Sequence, residues 1–151
     1  MKRLTIEWWQ SLKPEQVGKE TEKLVEAVLR DRNNSQTFAW LRFPDAKAAR
    51  GFLQAQISDY LAVANGTSYF IEVKATRHAY RLTSDRVPQL ALLHKFESAG
   101  SIGLVLVHHY IESVWRLISV DDLPTGQPSW DLRSHETFTS AEAALASLGM
   151  S

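Results

Sequence analysis

The stretch YFIEVKATRH, residues 69–78, sets Glu72 and Lys74 two apart inside an otherwise apolar run. Residues two apart on a strand share a face, and Glu and Lys are seldom buried without a partner. A third charged group belongs beside them. Two β-rich runs flank Asn65-Gly66, the strongest short-range hairpin signal. A two-residue loop there pairs Ala64 with Thr67 and therefore sets Asp59 opposite Glu72. Directly opposed side chains of an antiparallel pair have Cβ atoms about 4.5–5.5 Å apart. Asp59, Glu72 and Lys74 are thus expected on one patch.

Two carboxylates this close repel unless something positive joins them. Lys74 can do so alone, as a cross-strand salt bridge on an exposed strand face. A divalent cation can also do so, because hard ions such as Mg²⁺ take carboxylate oxygens and keep water ligands for chemistry. A bound ion lowers the pKa of its water and clamps phosphate oxygens. A neighbouring lysine then orients or deprotonates the water, or stabilises the phosphoryl transition state. The residues alone leave both readings open.

The elements that must position this patch are legible in outline. After Pro14, EQVGKETEKLVEAVLR spaces Val17, Thr21, Leu24, Val25 and Val28 as one helical face, which predicts a helix over about 15–30. TFAWLRF reads as a strand over 37–43, and PDAKAARGFLQ as a loop or short helical turn. The hairpin around Asn65-Gly66 follows, then a polar excursion, RHAYRLTSDR. Pro88 precedes a helix in QLALLHKFES, ending near Gly100, and SIGLVLVHH and VWRLISV are strands. LPTGQPSWD reads as loop. TSAEAALASLG is a last helix, with Thr139 as N-cap and Glu142 at the capping-box position. Helices on a mixed sheet follow from this order. The helix before SIGLVLVHH suggests a crossover, so part of the sheet is expected to be parallel.

At 151 residues the chain is expected to be one domain, residues 1–151, large enough to bury a core without staples. It has no cysteine, which excludes disulfides, thiolate metal sites and a cysteine nucleophile. MKRLTIEWWQSLK lacks the apolar run of a signal peptide, and no stretch has the length of a membrane span. Net charge is zero, but unevenly distributed. Residues 30–95 hold ten Lys/Arg against five Asp/Glu, and residues 96–151 two against seven. A positive face carried by the middle of the chain would suit DNA.

The segment ISDYLAVANGTSYFIEVKATR resembles the core of the PD-(D/E)XK nuclease superfamily, in which an Asp begins one strand and a (D/E)-X-K triplet lies on the next. Here these are Asp59 and Glu72-Val73-Lys74, while Ser58 stands where the motif name has proline. The gap between Asp59 and Glu72 is similar to that in Holliday junction resolvases of the archaeal and RecU type. Their first helix carries a Gly followed four residues on by a metal-binding Glu, matched by Gly18 and Glu22 in GKETE. SDRVPQLALLHKFESAGSIGLVLVHH resembles the helix and strand after the active site of the RecU group, so the likeness spans about 14–120 and leaves 121–151 as an extension. The resemblance implies a restriction-endonuclease-like α/β fold, a mixed central β-sheet flanked by helices. It also implies a Mg²⁺- or Mn²⁺-dependent endodeoxyribonuclease acting on four-way or branched DNA, in a bacterial cytoplasm or, for a phage protein, that of its host. Glu22, Asp59 and Glu72 would be metal ligands, and Lys74 would orient the water. Paired nicks across a junction need two symmetric sites, which predicts a homodimer.

DNA-binding candidates beyond these four are Gly18, Gln56, Arg77, His78, Arg81, Arg86 and Gln89. Arginines close to the triplet would supply the phosphate contacts that dominate DNA affinity. Each also has a plain reading as surface, cap or turn, as Glu20 and Glu26 have as solvated helix face. His108 and His109 read as the exit of an apolar strand, and the histidine spacings form no zinc pattern. No G-x-S-x-G elbow is present. Trp8-Trp9, Trp40 and Trp115 read as core or dimer contacts, with the Trp8-Trp9 pair suited to covering a partner subunit. Alternatives to a junction resolvase are a related nuclease for flap, nicked, single-stranded or restriction-type substrates, a catalytically silent DNA-binding module, or a purely structural partner protein.

Overall fold

The computed structural model describes residues 5–32, 37–44 and 57–149. Helix α1, Ile6–Ser11, opens the described chain, capped by Thr5, whose hydroxyl accepts the Trp8 N–H at 3.2 Å. Helix α2, Pro14–Arg32, buries Val17, Thr21, Val25 and Leu29, one residue per turn on a single face. Strands β1 (Phe38–Arg42), β2 (Tyr60–Ala64) and β3 (Thr67–Thr76) form an antiparallel meander. Asn65 and Gly66 both take positive φ, 51° and 82°, the backbone of a two-residue turn whose twist matches the strands it joins. The register is the expected one, Ala64 opposite Thr67 and Tyr60 opposite Ile71.

Beyond β3 lie the short strand β4 (Arg81–Thr83), helix α3 (Leu90–Ser98), β5 (Ile102–His109), β6 (Val114–Ser119), β7 (Ser129–Asp131) and α4 (Ala141–Ala146). The main sheet runs β1-β2-β3-β5-β6, and among the described residues only β3 and β5 pair in parallel, with α3 in the crossover. One face packs Tyr60, Ile71, Val73, Leu104 and Leu106 against Val25 and Leu29 of α2 and Ala144 and Leu145 of α4. The other packs Phe70, Val105, Val107 and Ile118 against Leu90 and Leu93 of α3. Strand alternation therefore turns Glu72 and Lys74, like Phe70, toward the α3 side. Among the described residues no helix is long and apolar enough to cross a membrane.

Three expectations need correcting. RHAYRLTSDR and LPTGQPSWD each contribute a strand, β4 and β7, which pair with each other and bury Leu82 and Trp130. Three-residue strands lie below the length at which alternation can be read. The N-cap of α4 is Ser140, whose Oγ accepts the Ala143 N–H at 3.0 Å, so Glu142 has no capping-box position. Trp9 is buried against its own chain, beside His108 and Tyr110, and is not available to a partner.

Helix α3 lies close on β5. A Cβ added to Gly103 would stand 2.9 Å from Val120 Cγ2 and 3.4 Å from the Leu93 carbonyl oxygen, and Val120 is fully buried. Replacing Gly103 by Ala is expected to destabilise the protein by about 1–3 kcal/mol through overpacking, measured as a lower denaturant midpoint at unchanged slope.

Candidate functional site

The chain bends at Asp59, just ahead of β2, and its carboxylate accepts the Val73 N–H at 2.8 Å. This bond ties the Asp59 side chain to β3 beside Glu72. Glu72 is 1% exposed. Its Oε1 lies 3.4 Å from Lys74 Nζ, while Oε2 is buried without a hydrogen-bond partner. Burial and the charge of Asp59 push the Glu72 carboxyl up to about 9, against the pull of Lys74. Two carboxyls and an amine do converge, deep in the sheet rather than on an exposed strand face.

Glu22, on α2, comes near enough for the Asp59 charge to act on it. Burial and that charge raise its carboxyl above the ordinary range, and Arg42 opposes them. Arg42 ends β1 opposite Tyr60 and reaches both Glu22 (2.8 Å) and Glu26 (2.6 Å). The Tyr60 hydroxyl also donates to Glu26, at 3.0 Å. Glu26 is thus no solvated surface group: burial would raise its carboxyl, but the bonds from Arg42 and Tyr60 prevail and hold it low. Sequence reasoning missed Arg42. The signal was a lone arginine inside the aromatic run TFAWLRF.

The DNA-binding candidates separate into groups. Arg77 and Arg86 line a cavity of about 230 Å³ with Pro14, Val17, Ala75 and Tyr110, and Arg86 donates to the Ala75 carbonyl at 2.7 Å. Gly18 sits half-buried on α2, with open space beyond its own helix backbone where a Cβ would stand. Arg81 instead bonds Ser129 Oγ across the β4–β7 pair at 3.0 Å. His78 Nδ1 accepts the N–H groups of Tyr80 and Arg81, a turn-forming role. Gln89 is the N-cap residue of α3, but its side chain makes no capping bond and its Oε1 is buried and unpaired. Gln56 lies outside the described residues. His108 and His109 close β5, as expected, and both are buried. Thr21 Oγ1 meets His108 Nδ1 at 2.9 Å, Trp115 stacks on its ring at 4.1 Å, and burial pushes it down to about 3.

The residues around Asp59 fit a hard divalent ion. The buried Glu72 Oε2 lacks a partner, and carboxylate oxygens are the donors that Mg²⁺ and Mn²⁺ prefer. A second set also converges: ligand atoms of His94, Glu97 and Asp121 lie within 4.8 Å of one another and could hold a divalent ion. None of these three was expected at a site. His94 and Glu97 are three apart on α3, a spacing visible in the sequence, but Asp121 joins them only through the fold.

A carboxyl raised toward 9 makes the metal-free fold retain a proton that the unfolded chain releases near pH 4.5. Stability of the metal-free protein therefore falls as pH rises between those values. Glu72→Gln removes this dependence. In EDTA its stability should vary less between pH 5 and 8 than the wild type's, by up to about 1.4 kcal/mol per pH unit. Parallel curves from denaturant titrations at several pH values would contradict a protonated Glu72.

No protein-family pattern matches the chain, and no curated protein matches it. A solved structure does. Archaeoglobus fulgidus Hjc, a Holliday junction resolvase from an archaeal hyperthermophile, superposes with a TM-score of 0.56 at 22% identity, over 81% of this chain and 97% of that one. The likeness is one of architecture, and with the sheet order above it shows that this chain has a restriction-endonuclease-like α/β fold, a mixed central β-sheet flanked by helices.

Proposed function

We propose that the chain is a metal-dependent endodeoxyribonuclease, a single domain acting as a homodimer on four-way or branched DNA in recombination and repair. Its place of action would be the cytoplasm of a bacterium or of a phage's host. The observation that carries this reading is the buried Glu72 carboxyl, with one oxygen unpaired, beside Asp59 and Lys74. A surface built only to bind phosphate gains nothing from facing carboxylates.

Asp59 and Glu72 would hold the ion, joined by Glu22 once Arg42 releases it. When bound, Mg²⁺ or Mn²⁺ supplies a water of lowered pKa and positive charge against the phosphate. Lys74 orients the attacking water and offsets the charge that builds on the phosphoryl oxygens. The water oxygen bonds to phosphorus as the P–O3′ bond breaks. Its proton passes to the departing 3′ oxygen, leaving a 3′ hydroxyl and a 5′ phosphate. Arg77 and Arg86, around their shared cavity, would take up DNA backbone phosphate. A two-fold pair of subunits would present two such sites for symmetric nicks.

A panel of mobile four-way junction, flap and linear duplex DNA in Mg²⁺, Mn²⁺ or EDTA tests the proposal. The junction should be cut with either ion and left intact in EDTA. Asp59→Ala and Lys74→Ala should remain folded by circular dichroism yet lose at least about 100-fold in rate. Full activity in either variant would end this mechanism. DNA binding undiminished in EDTA, with no cleavage in any divalent ion, would mark a silent binding module instead.

A further inference from the structure

Helix α3 carries His94 and Glu97 toward Asp121, in the 3-10 turn Val120–Asp122 that follows β6. Three features suggest more than a chance cluster. His94 Nε2 meets the Leu123 carbonyl at 3.0 Å. A carbonyl only accepts, so Nε2 carries the ring proton and Nδ1 keeps the lone pair that a metal takes. Glu97 is already oriented: its Oε1 accepts the Gly103 N–H at 3.3 Å and meets Ser119 Oγ at 3.5 Å. Its Oε2 is buried without a hydrogen-bond partner. Asp121 is the neighbouring carboxyl, so no donor serves that oxygen unless one of the two is protonated. Asp121 is exposed, which leaves the site open to water as a further ligand.

We propose that His94, Glu97 and Asp121 form a second metal site, separate from the Asp59–Glu72 pair, that takes a transition ion of the Zn²⁺ type. One imidazole nitrogen with two carboxylates suits such an ion better than Mg²⁺, which favours oxygen alone. The ion would clasp α3 to the turn after β6 and so hold the helix over the sheet face that Glu72 occupies. The role is structural, and it stands whether or not the protein cuts DNA.

The test uses EDTA-stripped full-length protein, with ZnCl₂ binding followed by calorimetry and by thermal unfolding. At a hundredfold excess of free Zn²⁺ over its dissociation constant, Tm of the wild type should rise by about 8 °C. Asp121→Asn, at an exposed position, and His94→Gln should each weaken Zn²⁺ binding at least about tenfold. Asp121→Asn should also keep the metal-free Tm of the wild type. The double variant Asp59→Asn/Glu72→Gln should bind Zn²⁺ at this site as the wild type does. No Zn²⁺ effect in the wild type, or full binding in Asp121→Asn and His94→Gln, overturns the proposal. Loss of binding in the double variant alone does so too, by assigning the ion to the other site. Failure of DNA cleavage would leave these readings untouched.

Discussion

Two left-handed residues, Asn65 and Gly66, set the geometry on which the rest depends. Their turn fixes the β2–β3 register, and that register puts Asp59 beside Glu72. A slip of one residue would turn every side chain of a strand to the opposite face. The buried carboxyl would then point at α2 and Ile71 at α3. The Val73 amide reinforces the arrangement from the other end, because Asp59 takes its N–H with a side chain where the ladder would otherwise continue.

Burying a carboxyl is costly unless something offsets its charge. The protein meets this demand differently at its neighbouring acids. Glu22 and Glu26 share the Arg42 guanidinium, whose several donors can serve two carboxylates at once. Among the described residues, Glu72 has only the Lys74 amine, at 3.4 Å and reaching one oxygen. The acid that is deepest in the sheet is therefore the one least well neutralised by its own chain. Such local frustration is expected where a group is kept for an external partner rather than for packing.

What could be read from the sequence was what depends on neighbours along the chain. The 65–66 turn, the helical face of Val17, Thr21 and Val25, and the crossover into SIGLVLVHH all carry local patterns. The alignment of Asp59 with Glu72 followed from the turn alone. Arg42 was not legible, because its value lies in meeting a helix whose acids come sixteen and twenty residues earlier. Strands β4 and β7 are too short to show alternation, and they find each other across the whole α3–β6 unit. Asp121 likewise joins His94 and Glu97 only when the chain returns over β5. Ser140 displaced Thr139 as a cap by one residue, a distinction that residue type cannot make, since both caps are favourable.

The parallel pairing of β3 with β5 has a temporal side. Glu72 lies opposite Val105, so during synthesis the acid leaves the ribosome before the strand that buries it. The hairpin can close early, being local, whereas the parallel partner must wait for a long loop to be ordered. Until then Glu72 remains hydrated and ionised. Seclusion of its charge, and the uptake of a proton or a cation that accompanies it, thus belongs to the late stage of folding, when β5 docks.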